Sequence, residues 1–256
     1  MKAAAVVWAV CRRTWLKTLR RPVVLTFSLG QPLVWMLLFG FLFERFRVGE
    51  PGAGVTYLDF LAPGVAAMTV LFGASQSGVG WIRDLQTGFL PRWLQAPASH
   101  HQLLLGKLLA DVGRLLLQAG VVLGLALLLG ARLHPCWTAL PPALAALALF
   151  GTAMSGVSTA IALRARAPEA LATFVHLVNM PLLFTSTALV PHRHMPDWLG
   201  EVARCNPLTL AVEMWRGALL GGPPLAVARS LSLLLALAAV TYALAARELR
   251  RCGALY

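Results

Sequence analysis

Charge is the scarcest commodity in this chain. Only 12% of its residues are Asp, Glu, Lys or Arg, while 58% are hydrophobic. Soluble domains carry about 25% charged residues, and here several uncharged runs approach twenty residues. A water-soluble fold is therefore excluded, and the composition is that of a bilayer protein. Acid is scarcer than base: 10 acidic residues stand against 22 Lys and Arg, for a net charge of +12. The four cysteines, Cys11, Cys136, Cys205 and Cys252, have no CxxC or metal-ligand spacing, which argues against a disulfide framework or a zinc site. No cleavable signal peptide is expected, since Arg12 and Arg13 follow the apolar Ala3–Cys11 stretch without a small-residue cleavage site.

Chemistry is also missing. There is no G-x-x-x-x-G-K-[ST] to cradle ATP phosphates, no H-E-x-x-H and no G-x-S-x-G. No catalytic residue and no metal site is expected, because His100-His101 and His192-x-His194 lack carboxylates or cysteines at ligand spacing. Carboxylates in mid-span, the usual mark of an ion-coupled carrier, are absent, as Asp59 and Asp111 sit near span ends. Nucleic acid is not an expected partner, because no recognition module accompanies the basic charge.

What is present reads as an all-α integral membrane protein with six transmembrane helices in one domain, 1–256. The expected spans are 22–43, 58–82, 108–130, 138–163, 171–190 and 225–246. Ala4, Trp8, Cys11, Trp15 and Leu19 recur at helical spacing opposite Arg13, Lys17 and Arg20. Residues 1–21 are therefore either an interfacial helix facing anionic headgroups or a basic flank. Pro32 predicts a kink in the first span. Small residues Gly73/Ser77 and Ala74/Gly78 in the second span suit either close helix packing or a pliable substrate path that would include Gln76 and Ser77. Asp111 and Arg114 are spaced to pair, and Gly120-x-x-x-Gly124 is a packing motif. His176 and Asn179 share a helical face, open to interhelical hydrogen bonds, substrate contact or proton relay.

Residues 191–224 are too polar to span and too apolar for a free loop. Broken by Pro196, Pro207, Gly221 and Gly222, they read as an outer-face re-entrant hairpin that includes Trp198 and Asn206 and an expected Glu213–Arg216 pair. With both termini in the cytoplasm, 15 Lys and Arg fall inside and 7 outside, against 4 and 6 acids, so the positive-inside rule gives N-in, C-in. Cys136 and Cys205 then share the outer side, where a disulfide is one option. The polar interval 83–107 falls in the cytoplasm. A chain with no nucleotide site must import the energy that drives it, and this interval is where a partner can reach.

Three stretches together are specific. They are Phe60-Leu61-Ala62-Pro63-Gly64; the run Arg83-Asp84, Thr87-Gly88, Leu90, Ala96-Pro97 and Leu105-Gly106-Lys107; and Met195-Pro196-Asp197-Trp198-Leu199 with Asn206-Pro207-Leu208-Thr209, Glu213 and Arg216. In order and spacing the whole chain resembles permease subunits of type-two ATP-binding-cassette exporters, in the drug-resistance and lipo-oligosaccharide branch. The resemblance implies a homodimer in a bacterial inner membrane, with separate ATPase subunits that hold the ATP and Mg. No cofactor is implied in this chain. It also implies a cytoplasmic coupling helix after span two, carried here by Asp84, Gly88, Leu90, Arg92, Trp93, Leu94 and Pro97. In that helix Leu90, Trp93 and Leu94 would bury in the partner while Arg92 sets register. Pro91 departs from the family's acidic residue at that point and would shorten or bend the helix. The apolar spans favour a hydrophobic or amphipathic cargo. The alternatives are a membrane scaffold or sensor and an ion-coupled carrier.

Overall fold

The computed structural model describes residues 3–19, 22–43, 56–95, 99–220 and 227–254. Among them the chain is helical: α1 (Ala3–Leu19), α2 (Pro22–Leu42), α3 (Tyr57–Ser75), α4 (Ser77–Gln86), α5 (Phe89–Leu94), α6 (His100–Leu128), α7 (Leu140–Ala165), α8 (Pro168–Phe184), α9 (Asp197–Cys205), α10 (Pro207–Leu220) and α11 (Val227–Gly253), with a 3₁₀ turn at His192–His194. Four helical segments are long and apolar enough to cross a bilayer: α3 with α4, α6, α7 and α11. Gly30–Leu42 and Pro168–Phe184 are apolar but shorter.

Local chemistry explains the ends. Thr56 and Asp59 form a reciprocal capping box at α3, and Ser99 and Gln102 form another at α6. The second box starts α6 eight residues before the expected span and takes residues 100–107 out of the polar loop. α4 ends at a glycine, Gly88, whose φ of 69° is the left-handed conformation that glycine adopts without strain. α2 continues through Pro32 as one helix, with the proline in its interior. The second expected span is two helices, which part at Gln76. The fifth ends at Phe184, and its expected last six residues run on as non-helical chain.

α3 is central. Every residue from Tyr57 to Ser75 except Leu58 is buried, against α2, α6, α7, α8 and α10. A helix buried on all sides is apolar all round, which is why this stretch shows no amphipathic period. α7 and α11 pack along most of their length, and a Cβ at Gly156 would sit 2.9 Å from Thr241 Oγ1. Gly120 and Gly124, by contrast, face open space with nothing within 4 Å of a Cβ, so that motif is not a helix contact among the described residues. Apolar side chains left outside the core, among them Leu117 and Val121 on α6 and Leu235 and Val240 on α11, form the surface a bilayer covers.

α1 is a helix, but its buried side is Val6 and Val10, not the Trp8 face, and Trp8 stands exposed. It lies in a groove of α6 where Cβ atoms at Gly106 and Gly113 would meet the Val7 carbonyl and the Trp15 ring. That placement turns Arg13 and Lys17 toward the protein.

Candidate functional site: a buried charge ladder and a broken helix

One end of the helix bundle is organised on one carboxylate. Asp84, near the end of α4, is buried. Lys17 Nζ lies 2.6 Å from its Oδ1, Lys107 Nζ 3.0 Å from its Oδ2 and Arg13 Nη2 3.6 Å from Oδ1. Two rings close over these cations: Arg13 stacks 3.3 Å above Phe89, and Lys107 sits 3.9 Å over Trp81. Four helices, α1, α4, α5 and α6, are therefore tied at one point. Beneath it a second apolar core gathers Val10, Trp81, Ile82, Leu90, Leu104, Leu163, Leu171 and Leu249, from seven helices.

From Lys107 the polarity continues down α6. Lys107, Asp111, Arg114 and Gln118 are all buried and recur at steps of four, three and four residues, so they line one face. Eleven residues of helix cover about 16 Å along the axis. Arg114 pairs with Asp111 at 3.7 Å as its spacing predicts, and also donates to Gln118 Oε1 (3.3 Å) and to the Gly73 carbonyl (3.1 Å) of α3. Asp111 Oδ2 is buried without a hydrogen-bond partner among the described residues, although Lys107 lies within its electrostatic reach.

The ladder ends at the break between α3 and α4. There Ser158 of α7 donates to the Ser75 carbonyl at 2.6 Å and accepts from the Gly78 amide at 3.0 Å. One hydroxyl thus satisfies both sides of the break. Asn179 Nδ2 of α8 donates to Ser75 Oγ at 2.8 Å, and Ser77 Oγ lies 3.2 Å from Ser155 Oγ. Gly78 permits the approach, since a Cβ there would lie 2.6 Å from the Ser158 carbonyl.

The opposite end uses different means. Residues 185–190 are mostly buried but not helical, so their backbone groups need partners. Thr187 N–H donates to Thr209 Oγ1 (3.2 Å), the Leu189 carbonyl accepts from Tyr57 Oη (3.0 Å), and Asn206 Nδ2 donates to the Leu182 carbonyl (2.7 Å). Arg216 donates to the carbonyls of Thr187 (3.0 Å) and Phe60 (3.3 Å) and stacks 3.6 Å over the Phe60 ring. A Cβ at Gly64 would overlap the Ala188 carbonyl. The expected Glu213–Arg216 ion pair is not formed within 4 Å. The carbonyls claim the guanidinium, and Glu213 accepts from Thr187 Oγ1 at 3.5 Å. Asp59 joins this region to the α6–α7 loop by accepting the Arg132 amide at 2.5 Å, and the His134 and Cys136 amides bond to the Leu219 and Ala218 carbonyls at 2.8 Å.

The sequence profile of ABC-2 type transporters matches residues 5–220. The chain belongs to the ABC-2 type transporter family. The transport permease named ycf38 of Cyanophora paradoxa is 31% identical over 207 residues, 80% of this chain and 71% of that protein. The daunorubicin resistance ABC transporter permease DrrB1 of Streptomyces coeruleorubidus is 30% identical over 197 residues, 76% of this chain and 68% of the relative. Nodulation protein J of Rhizobium meliloti is 28% identical over 244 residues, 92% and 85% of the two chains. The protein is thus a multi-pass membrane permease of the ABC transporter class.

Within this ABC-2 permease, the residues picked out from sequence fall into separate groups. Of the coupling set, Asp84 and Leu90 point inward, Leu90 into the second core, so neither is available to be buried by a partner. Arg92 is exposed, Trp93 and Leu94 are half-buried, and Pro97 lies outside the described residues. Pro91 is accommodated in the first turn of α5, a helix of only six residues. Gln76 is exposed at the helix break, while Ser77 is buried. His176 and Asn179 do not act together: Asn179 is buried on Ser75 and His176 is exposed. In residues 191–220 Pro196 precedes α9, Trp198 is exposed, and Pro207 opens α10 just after Asn206, whose Oδ1 accepts the Leu208 amide at 2.8 Å. Cys136 and Cys205 are free thiols. Sequence reading missed Lys17, Arg13 and Lys107 as partners of Asp84, and missed the ladder. The signal for the ladder was the four-three-four spacing of Lys107, Asp111, Arg114 and Gln118.

Proposed function

We propose that this chain is the membrane subunit of an ATP-driven exporter for a hydrophobic or amphipathic cargo, working as a homodimer with a separate ATPase in a bacterial inner membrane. The proposed layout is six spans with both termini inside, α2 and α8 serving as the two shorter ones. The observation that carries the mechanism is the continuous polar track from Asp84, beside α5, to the α3–α4 break. The ATPase docks on the exposed side of α5, at Arg92 and Trp93. Its movement reaches α6 and α1 through the Asp84 cluster, because these helices share one carboxylate. The ladder carries the shift to Gly73, where α3 is already interrupted and Gln76 is exposed toward the cargo.

Lys107 supplies a two-position element. It bonds Asp84 while Asp111, one turn along the same helix, keeps an oxygen free. A slide of α6 along α4 lets the ammonium trade one carboxylate for the other with no loss of charge pairing. Two discrete arrangements of similar energy are what a partner needs to bias. The relative named for daunorubicin resistance supports an amphipathic cargo. The exposed apolar side of α2, with Val34, Leu37, Leu38 and Phe41, supports the second copy.

The test is reconstitution of the permease with its ATPase in proteoliposomes, reading ATP hydrolysis and export together. Asp84→Asn should leave the complex assembled and cut export per ATP hydrolysed by about tenfold or more, equivalent to about 1.4 kcal/mol of lost bias. Trp93→Asp should abolish ATPase association. Robust ATP binding by the permease alone, or wild-type coupling in both variants, overturns the reading.

A further inference from the structure

α6 and α11 meet in a second polar cluster that takes no part in the ladder. Arg250 Nη2 lies 2.8 Å from His101 Nε2, and His101 Nδ1 lies 3.1 Å from Tyr242 Oη, with the two rings stacked at 6.1 Å. A guanidinium only donates, so Nε2 accepts and the ring's single proton is on Nδ1, from which it is given to the tyrosine oxygen. The relay therefore ends in donors on both sides. The Tyr242 O–H and the remaining Arg250 N–H groups have no acceptor among the described residues. Among the described residues no carboxylate lies within 4 Å of Arg250, whereas Arg251 and Arg164 share Glu248 at 2.9 and 3.6 Å.

An array of donors with a net positive charge and no acid calls for an anion with several oxygens. Its setting favours one on a lipid. His101, Leu105 and Leu109 follow one another at four-residue steps on α6, and both leucines stand exposed, at 43% and 55%. His101 and Arg250 lie near the ends of α6 and α11, beside this apolar strip of α6, where a headgroup meets its acyl chain.

We propose that His101, Tyr242 and Arg250 form a binding site for the phosphate headgroup of an anionic phospholipid, whose acyl chain lies along Leu105 and Leu109. His101 acts as a positioning residue: as a neutral acceptor it aims Arg250 at the phosphate. Nothing in the site depends on transport, so it stands or falls separately from the exporter reading.

The experiment is lipid retention by the purified full-length permease, exchanged into nanodiscs of mixed phosphatidylglycerol and phosphatidylcholine and read by native mass spectrometry of the bound lipid. Wild type should enrich phosphatidylglycerol. Arg250→Ala should lower that enrichment about fivefold, the loss of one interfacial cation. Tyr242→Phe, which removes one oxygen and spares the fold, should lower it by a smaller factor. Arg251→Ala, already ion-paired, should change it little. Equal retention of both lipids, or an Arg250→Ala protein equal to wild type, overturns the site. Displacement of the lipid by millimolar inorganic phosphate would make it a free-anion site and overturn the lipid assignment. Loss of ATPase co-purification in Arg250→Ala with unchanged lipid would assign the cluster to the partner instead.

Discussion

The two ends of this permease solve the same problem with opposite chemistry. Both hold buried polar groups that the bilayer would penalise. At the Asp84 end, side-chain charges meet side-chain charges: three cations on one carboxylate, a second acid one turn away with a spare oxygen, and rings over the cations. At the Arg216 end, a cation meets two backbone carbonyls, Thr187 of the non-helical 185–190 segment and Phe60 of α3, and hydroxyls and amides close the rest. Side-chain ion pairs can exchange partners at little cost when another partner is in reach. A backbone carbonyl held in α3 or in the buried 185–190 segment cannot move without breaking several bonds at once. One end is built to rearrange and the other to stay.

Breaking the rigid end should have the largest effect. Arg216→Ala strips two buried carbonyls of a charged donor and should destabilise by about 3–6 kcal/mol, the sum for two hydrogen bonds to a charged group, read as thermal unfolding in detergent. Arg216→Lys keeps the charge but not the fork, and should recover only part of that. Next comes Gly78→Ala, which drives a methyl into the Ser158 carbonyl and should cost about 1–3 kcal/mol by overpacking. Ser158→Ala removes the splint at the same place without steric strain, and about 1–3 kcal/mol is expected from the unpaired Ser75 carbonyl and Gly78 amide.

The exchangeable end should respond differently. Lys107→Met removes the shared cation and leaves Asp84 with Lys17 and Arg13. The stability loss should therefore be smaller than for Arg216→Ala, about 1–3 kcal/mol, while export per ATP falls more steeply than stability does. If Lys107→Met destabilised as much as Arg216→Ala with coupling intact, the contrast between the ends would be lost. The smallest effect is a control. Gly120→Leu, on the open side of α6, should shift stability by no more than about 0.5 kcal/mol.

Glycine motifs illustrate how far sequence reading reaches. Gly73, Gly78 and Gly120 look alike in one dimension. Gly73 and Gly78 face Leu115 and Ser158, while Gly120 faces nothing. The i,i+3 rule found Asp111–Arg114 but also promised Glu213–Arg216, where carbonyls from two other segments outcompeted the acid. Capping chemistry at Ser99 and Gln102 was readable but was passed over for the polar look of residues 100–107, which placed the start of α6 eight residues late.

Composition and local pattern alone determined that this is a helical membrane protein, that it lacks a phosphate-binding loop, and that residues 83–107 and 191–224 are the unusual segments. Each of these is a sum or a spacing along the chain. Only the tertiary structure decided which polar residues meet. Asp84 reaches Lys17 across 67 residues, Ser158 reaches Ser75 across 83, and Arg216 reaches Phe60 across 156. A polar side chain in a membrane must find a partner, and sequence states that obligation, but packing chooses the partner.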